Sequence, residues 1–335
     1  MARNLIACCD GTWKTEDDPA ETNVVRLWRA IARQSPDHED QVKYYDRGVG
    51  SGGIVARILG GITGRGIEKN VKDVYAFLAR NYRDGDRIYL FGFSRGAYTA
   101  RSVGGFVRKC GLLKPSELGR LDEAFDVYRD EHEPSEPEPS GFREDYSRNV
   151  VPHCIGVWDT VGALGLPLGT FSKLLSRKHE FHDVELSSTI QFAFHAVAID
   201  ERRLTFEPTL WKVSKNRPAD STQRVEQRWF VGVHSNVGGG YGGGVGLSSI
   251  TLRWMADRAR DAGLGLSEPV LNEEYSPDYA GSLGGPAWFY RRFRDRVIDA
   301  VWPDTESVDT TATRRWDDHA LSYRPPPLVE HRKRL

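Results

Sequence analysis

Residues 88–106, IYLFGFSRGAYTARSVGGF, constrain the fold more than any other stretch of this sequence. The apolar run Ile88 to Phe91 has no polar alternation, which is the pattern of a central parallel strand covered on both faces. It ends in Gly92-Phe93-Ser94-Arg95-Gly96, a G-x-S-x-G pattern, after which small residues recur at helical spacing. A serine in a tight strand-to-helix turn needs glycines two residues to either side, because larger neighbours would clash there. Strand, turn and helix together predict a nucleophile elbow with Ser94 at its tip. The bland alternative is a small residue in a glycine-rich turn.

The rest of the chain repeats the alternation. NLIACC (4–9) reads as a buried strand, TNVVRLWRAIAR as a helix capped at Thr22 or Asn23, QVKYYD as a short strand, and IEKNVKDVYAFLARNY as a helix with one apolar face. HCIGVWDTVG, QFAFHAVAIDERR and QRWFVGVHS supply three further strands, and SSITLRWMADRARDAGL supplies a helix ending near Gly263. Such alternation predicts an α/β fold with a mostly parallel, doubly wound sheet and helices on both faces. Residues 130–148 are rich in Pro, Glu and Ser and are expected to form a surface loop. The chain is expected to be a single domain, with its core at about 3–264 and residues 265–335 as a flank or cap.

Several function classes are disfavoured. A formal net charge of −1, with no Lys/Arg block interleaved with aromatics, leaves no electrostatic footprint for nucleic acid. No apolar run reaches the length of a spanning helix, and the apolar run after Met1 is too short for a signal peptide, so a cytoplasmic protein is expected, with export by a dedicated secretion system left open. The four cysteines, Cys8, Cys9, Cys110 and Cys154, form no C-x-x-C pair and read as buried free thiols. Neither metal nor cofactor is called for.

A serine hydroxyl is a weak nucleophile until an imidazole takes its proton, and the imidazole needs an acid to hold its tautomer. Of nine histidines, His234 follows a strong apolar run and precedes a glycine loop, as a base at a strand end should. Two acids compete. Asp159 leaves its strand into a glycine turn with no neighbouring charge, and it is preferred; Asp200 ends the next strand but sits beside Glu201, Arg202 and Arg203, where a structural ion-pair network is equally natural. The expected oxyanion donors are the backbone N–H of Arg95, at the helix N-terminus, and those of Gly11 or Thr12 in CCDGTW. Asp10 in that motif suggests a rival, an aspartyl-phosphate hydrolase, but Cys8 and Thr12 stand where its second carboxylate belongs.

Seven ordered blocks, CCDGTW, TNVVRLWRAI, YYDRGVGS, YLFGFSRGAYTARSVGG, GVWDTVG, AIDERR and FVGVHSNVGGGY, resemble a widespread uncharacterised α/β-hydrolase domain family that includes type VI secretion phospholipase effectors. The resemblance covers about residues 3–264 and implies an α/β-hydrolase fold with cap insertions. It also implies ester hydrolysis by the serine of GFSRGA, the aspartate of WDTVG and the histidine of GVHS, here Ser94, Asp159 and His234. Asn236 departs from the family, which often has aspartate after the histidine motif. The expected substrate is a small-molecule or lipid ester. Insertions near 166–189 and 202–228 and the tail, with Trp211, Trp288, Phe289, Tyr290 and Trp302, are the expected cap. A hydrolase-like binding module without catalysis is the remaining alternative.

Overall fold

A computed structural model describes residues 2–11, 21–48, 64–161, 185–186, 189–213, 221–273, 275–284, 293–298 and 305–334. Seven parallel strands form the main sheet: β1 (Asn4–Cys9), β2 (Gln41–Asp46), β3 (Arg87–Phe93), β4 (Cys154–Trp158), β5 (Phe192–Ala198), β6 (Arg224–Phe230) and β7 (Glu306–Val308). They lie in the order β7-β6-β5-β4-β3-β1-β2. The chain first builds outward from β1 to β2, then returns across β1 to continue from β3. The strand order thus reverses between β1 and β3, and in open α/β sheets ligands bind at the carboxyl ends of the strands at such a switch point.

Alternation along β1 shows why the central strands are apolar throughout. Leu5, Ala7 and Cys9 pack on one side with Val71, Val74 and Leu78 of α2 (Gly64–Asn81) and Ala97, Ala100 and Val103 of α3 (Arg95–Cys110). Ile6 and Cys8 face the other side, with Val24 and Leu27 of α1 (Asn23–Ala30) and with Leu252, Met255 and Ala256 of a helix at Gly246–Asp261. A strand covered on both faces can have no solvent-facing positions, so period-two alternation disappears from its sequence. All four cysteines are buried free thiols. No helix among the described residues is long and apolar enough to cross a membrane.

Two segments differ from expectation or resolve it. Residues 130–148 contain α4's successor rather than an open loop: after α4 (Leu121–Arg129) comes α5 (Pro137–Tyr146), followed by Ser147–Arg148, which pairs antiparallel with Leu112–Leu113. Pro137 is tolerated in the first turn. Phe142 is buried against the main core and the Arg143 Nη1 donates to the Lys109 and Pro134 carbonyls, so tertiary contacts capture a segment of weak helical tendency. Described parts of the tail pack on the sheet. Ile298, Ala312, Tyr323 and Leu328 join Val197, Ile199, Trp229 and Val231 in a separate apolar cluster at the far end of the sheet, and β7 becomes its edge strand.

Candidate active site

In a parallel sheet every strand delivers the residue after its last position to the same edge. Asp10, Ser94, Asp159 and Ile199-Asp200 therefore gather along one line, and His234 reaches it at the start of α6 (His234–Gly238). Ser94 sits at φ 58°, ψ −119°, immediately before α3, with no side-chain capping bond to that helix. A non-glycine residue held there is strained and persists only because its surroundings demand it. The Ser94 N–H donates to the Trp158 carbonyl at 3.1 Å, and the Ser94 carbonyl accepts from the Tyr98 N–H at 3.1 Å, pinning the turn on both sides.

The flanking glycines are steric requirements. A Cβ on Gly92 would lie 2.3 Å from the Gly96 carbonyl oxygen, and one on Gly96 would lie 2.0 Å from that of Cys9. Both obstacles are backbone and cannot swing aside. Gly96→Ala is expected to destabilise the fold by about 3 kcal/mol or more, at or beyond the upper end of ordinary overpacking. Denaturant titration measures this; a loss under about 1 kcal/mol would mean that the end of β1 moves more easily than its burial suggests.

His234 Nδ1 lies 2.6 Å from Asp159 Oδ2, and both residues are buried. Nε2 of His234 is buried without a hydrogen-bond partner among the described residues. The imidazole is held between Phe93, the residue before the serine, at 4.6 Å between ring centroids, and Phe206, at 4.9 Å edge-on. Burial lowers the His234 pKa below its ordinary 6.5, only partly opposed by Asp159, so the ring is neutral at pH 7. Burial alone would raise the Asp159 carboxyl, but the Arg296 and His234 charges outweigh it and hold the group below the usual carboxylate range.

Asp200, the alternative acid, makes different contacts. Asp200 Oδ2 accepts from the Gly232 N–H at 2.7 Å and the Tyr323 hydroxyl at 2.8 Å, bracing the turn before His234 from the tail. The ion pair expected around it forms between Glu201 and Arg203, and Glu201 Oε2 also accepts the His234 N–H at 3.3 Å. His195 is wholly buried, accepts the Thr160 N–H at 3.1 Å, and is pulled down to about 3 by burial, so it is no candidate base near neutrality.

In the loop after β1, Gly11 approaches the serine closely, its Cβ position being 3.5 Å from Ser94 Cβ. Its N–H donates to Asp10 Oδ1 at 2.7 Å, while Asp10 Oδ2 accepts from the hydroxyls of Thr22 at 2.6 Å and Tyr45 at 2.5 Å. Asp10 thus braces this loop, its carboxylate accepting from Gly11, Thr22 and Tyr45. The Arg95 backbone N–H opens α3 beside Ser94, and burial lowers its guanidinium pKa to about 10. Thr12, Trp288, Phe289, Tyr290, Trp302, most of 166–189 and part of 202–228 lie outside the described residues. Trp211 is buried against His195 and belongs to the core.

Three neighbours of the Asp159–His234 pair and its turn carry no assigned role in the sequence reading. Arg296 makes a two-pronged ion pair with Asp159, Phe206 walls the imidazole, and Asn236 clasps the histidine turn by accepting the Val233 and Gly284 N–H groups. An arginine in an arginine-rich tail gives no spacing signal. The departure at Asn236 was visible in the sequence, but its partners at 282–284 were not.

The sequence profile described as "T6SS, Phospholipase effector Tle1-like, catalytic domain" matches residues 3–258. An uncharacterized protein of Saccharomyces cerevisiae is 28% identical over 229 residues, covering 61% of this chain and 32% of that relative. Among solved structures, an uncharacterized protein from Pseudomonas aeruginosa is 19% identical at a TM-score of 0.44, covering 83% of this chain and 49% of that one. A structure of the Tle1 effector bound to the VgrG spike of the type 6 secretion system is 18% identical at a TM-score of 0.40, covering 71% and 52%. The chain spans about a third of the curated relative and about half of each solved structure.

Proposed function

We propose a function from one premise: the chain belongs to the Tle1-like catalytic-domain family of type VI secretion phospholipase effectors. It is a serine hydrolase of carboxylic esters, built on an α/β-hydrolase fold in one domain whose core is about residues 3–264. A lipid or phospholipid ester is its substrate, with action on lipid after export as the location this implies. The observation that carries the proposal is the buried 2.6 Å contact between His234 Nδ1 and Asp159 Oδ2, which leaves Nε2 without a partner among the described residues, on the edge that holds the strained Ser94.

The chemistry follows from that arrangement. Ser94 Oγ attacks the ester carbonyl carbon as its proton passes to His234 Nε2, and Asp159 stabilises the imidazolium. The developing oxyanion takes hydrogen bonds from the Arg95 N–H, helped by the positive end of α3, and from the loop at Gly11-Thr12, where release from Asp10 would turn the Gly11 donor toward substrate. Collapse breaks the bond to the alkoxide, which leaves as an alcohol with the proton from Nε2. Water, deprotonated by the same nitrogen, then attacks the acyl-enzyme and frees the carboxylic acid and Ser94.

A fluorophosphonate probe tests this directly. The expected result is covalent labelling of the peptide that contains Ser94, together with turnover of p-nitrophenyl esters of rising chain length and of phospholipid vesicles. A folded protein that takes no label and cleaves none of these is a binding module instead. The pH dependence carries a sign: His234 must be neutral to accept the proton, and its pKa is lowered, so kcat/KM should rise with pH and reach half its plateau below 6.5. A midpoint above 7 would contradict the buried, neutral imidazole.

A further inference from the structure

Arg296 enters the site from beyond the stretch that matches the family, which ends at residue 258. Its Nη1 donates to Asp159 Oδ1 at 2.6 Å and to the Ala198 carbonyl at 2.7 Å; its Nη2 donates to Asp159 Oδ2 at 3.0 Å and to the Phe206 carbonyl at 2.6 Å. Asp159 Oδ1 also accepts the Ala198 N–H at 2.9 Å, and Oδ2 accepts His234 Nδ1. Four donors therefore converge on one buried carboxylate. The guanidinium and the imidazole share Oδ2.

Asp159 has a backbone φ of 38°, so its main chain is strained and its side chain needs an external hold. A planar guanidinium gripping both oxygens fixes the carboxylate plane as a single point charge would not. We infer that Arg296 is a positioning residue of the acid–histidine pair: the tail's guanidinium clamps Asp159 in the plane that meets His234 and draws off part of its negative charge. The inference rests on the roles of Asp159 and His234 proposed above.

Charge counting gives the consequence. With Arg296 present, the aspartate and neutral histidine form a site of no net charge, and protonating the pair adds an unbalanced positive charge to a buried place. Without it, the same proton neutralises the pair. Arg296 thus keeps the base unprotonated at mildly acidic pH. The other groups facing His234 are Glu201, beneath its N–H, and Arg203, paired to Glu201; Asp200, with Tyr323, acts on the Gly232 turn; Phe93 and Phe206 carry no charge.

The test uses the full chain with 15N-labelled histidine, following the His234 ring by NMR through a pH titration, with Arg296→Gln, Arg296→Met and Arg296→Lys beside the parent. An adjacent opposite charge moves a carboxylate by about 1–3 units, and in a coupled pair the shift belongs to the pair. The proton-uptake midpoint is expected to rise by about one unit or more in whichever neutral variant folds, and to stay within about half a unit of the parent in Arg296→Lys. In turnover assays the acid limb of kcat/KM should move the same way. A midpoint that stays put in the neutral variants, or moves equally in Arg296→Lys, overturns the inference. Inability of the parent protein to cleave any ester would instead sink the hydrolase proposal, and leaves the titration readable.

Discussion

Replacing Ser94 by alanine is expected to lower kcat for ester hydrolysis by on the order of 10⁴–10⁶-fold while the protein still folds. The loss is large because Ser94 is the nucleophile at the elbow among the described residues: the Asp10 carboxylate accepts from Gly11, Thr22 and Tyr45. What survives is the slow attack of water on an ester still polarised by the oxyanion donors. Stability should change little, since Ser94 makes no capping bond through its side chain and alanine has to accept the same φ of 58°. Glycine at this position relieves that strain, so Ser94→Gly should be inactive yet more stable than Ser94→Ala by up to about 1 kcal/mol. Initial-rate assays and denaturant melts of both variants check the two halves separately. Ester turnover that is unchanged in either variant would remove Ser94 from the mechanism.

Asp159→Asn is expected to damage both catalysis and stability. An amide offers one acceptor oxygen where the carboxylate meets four donors, from His234, Ala198 and twice from Arg296. Its NH₂ group would favour donating to Nδ1, which places the ring proton on Nε2 and abolishes the base; this wrong tautomer costs about 10⁴-fold in the serine-protease triad. The buried Arg296 meanwhile keeps its charge and loses its counter-ion. Removing one partner of a buried pair costs about 3–5 kcal/mol, and the carbonyls of Ala198 and Phe206 that still accept from Arg296 favour the lower figure. Asp200→Asn is the control. It should spare the imidazole contact and act only through the Gly232 turn, with a clearly smaller fall in kcat/KM. Equal losses in the two variants would mean that the acid is not identified by its contact with His234.

The strand, turn and helix around Ser94 can be read from residues alone because their demands are local. Backbone atoms of Gly96 and Cys9 occupy the space where the side chains of residues 92 and 96 would go, so glycine is required at both, and the pattern survives in the linear sequence. The placement of His234 at the same edge is legible for a related reason, since it closely follows a strand end in a sheet whose strands all point one way. Residues 130–148 read as a loop in the sequence because α5 depends on burying Phe142 and on the Lys109 and Pro134 carbonyls that accept from Arg143. Composition is silent about such partners.

The choice between Asp159 and Asp200 marks the boundary most clearly. Strand periodicity and the family resemblance determined that a parallel sheet would bring a serine, a histidine and two acids to one edge, because chain direction alone decides which end of a strand a residue occupies. Both acids satisfy that condition on neighbouring strands. The sequence prefers Asp159 for its uncharged turn and its match to WDTVG, but only the tertiary structure shows its carboxylate facing the imidazole and what holds it there, since that depends on side-chain direction at the strand ends and on Arg296, 137 residues further along the chain. Contacts made across such a distance are selected by the packed three-dimensional surface, and they leave no period or spacing in the sequence from which to be read.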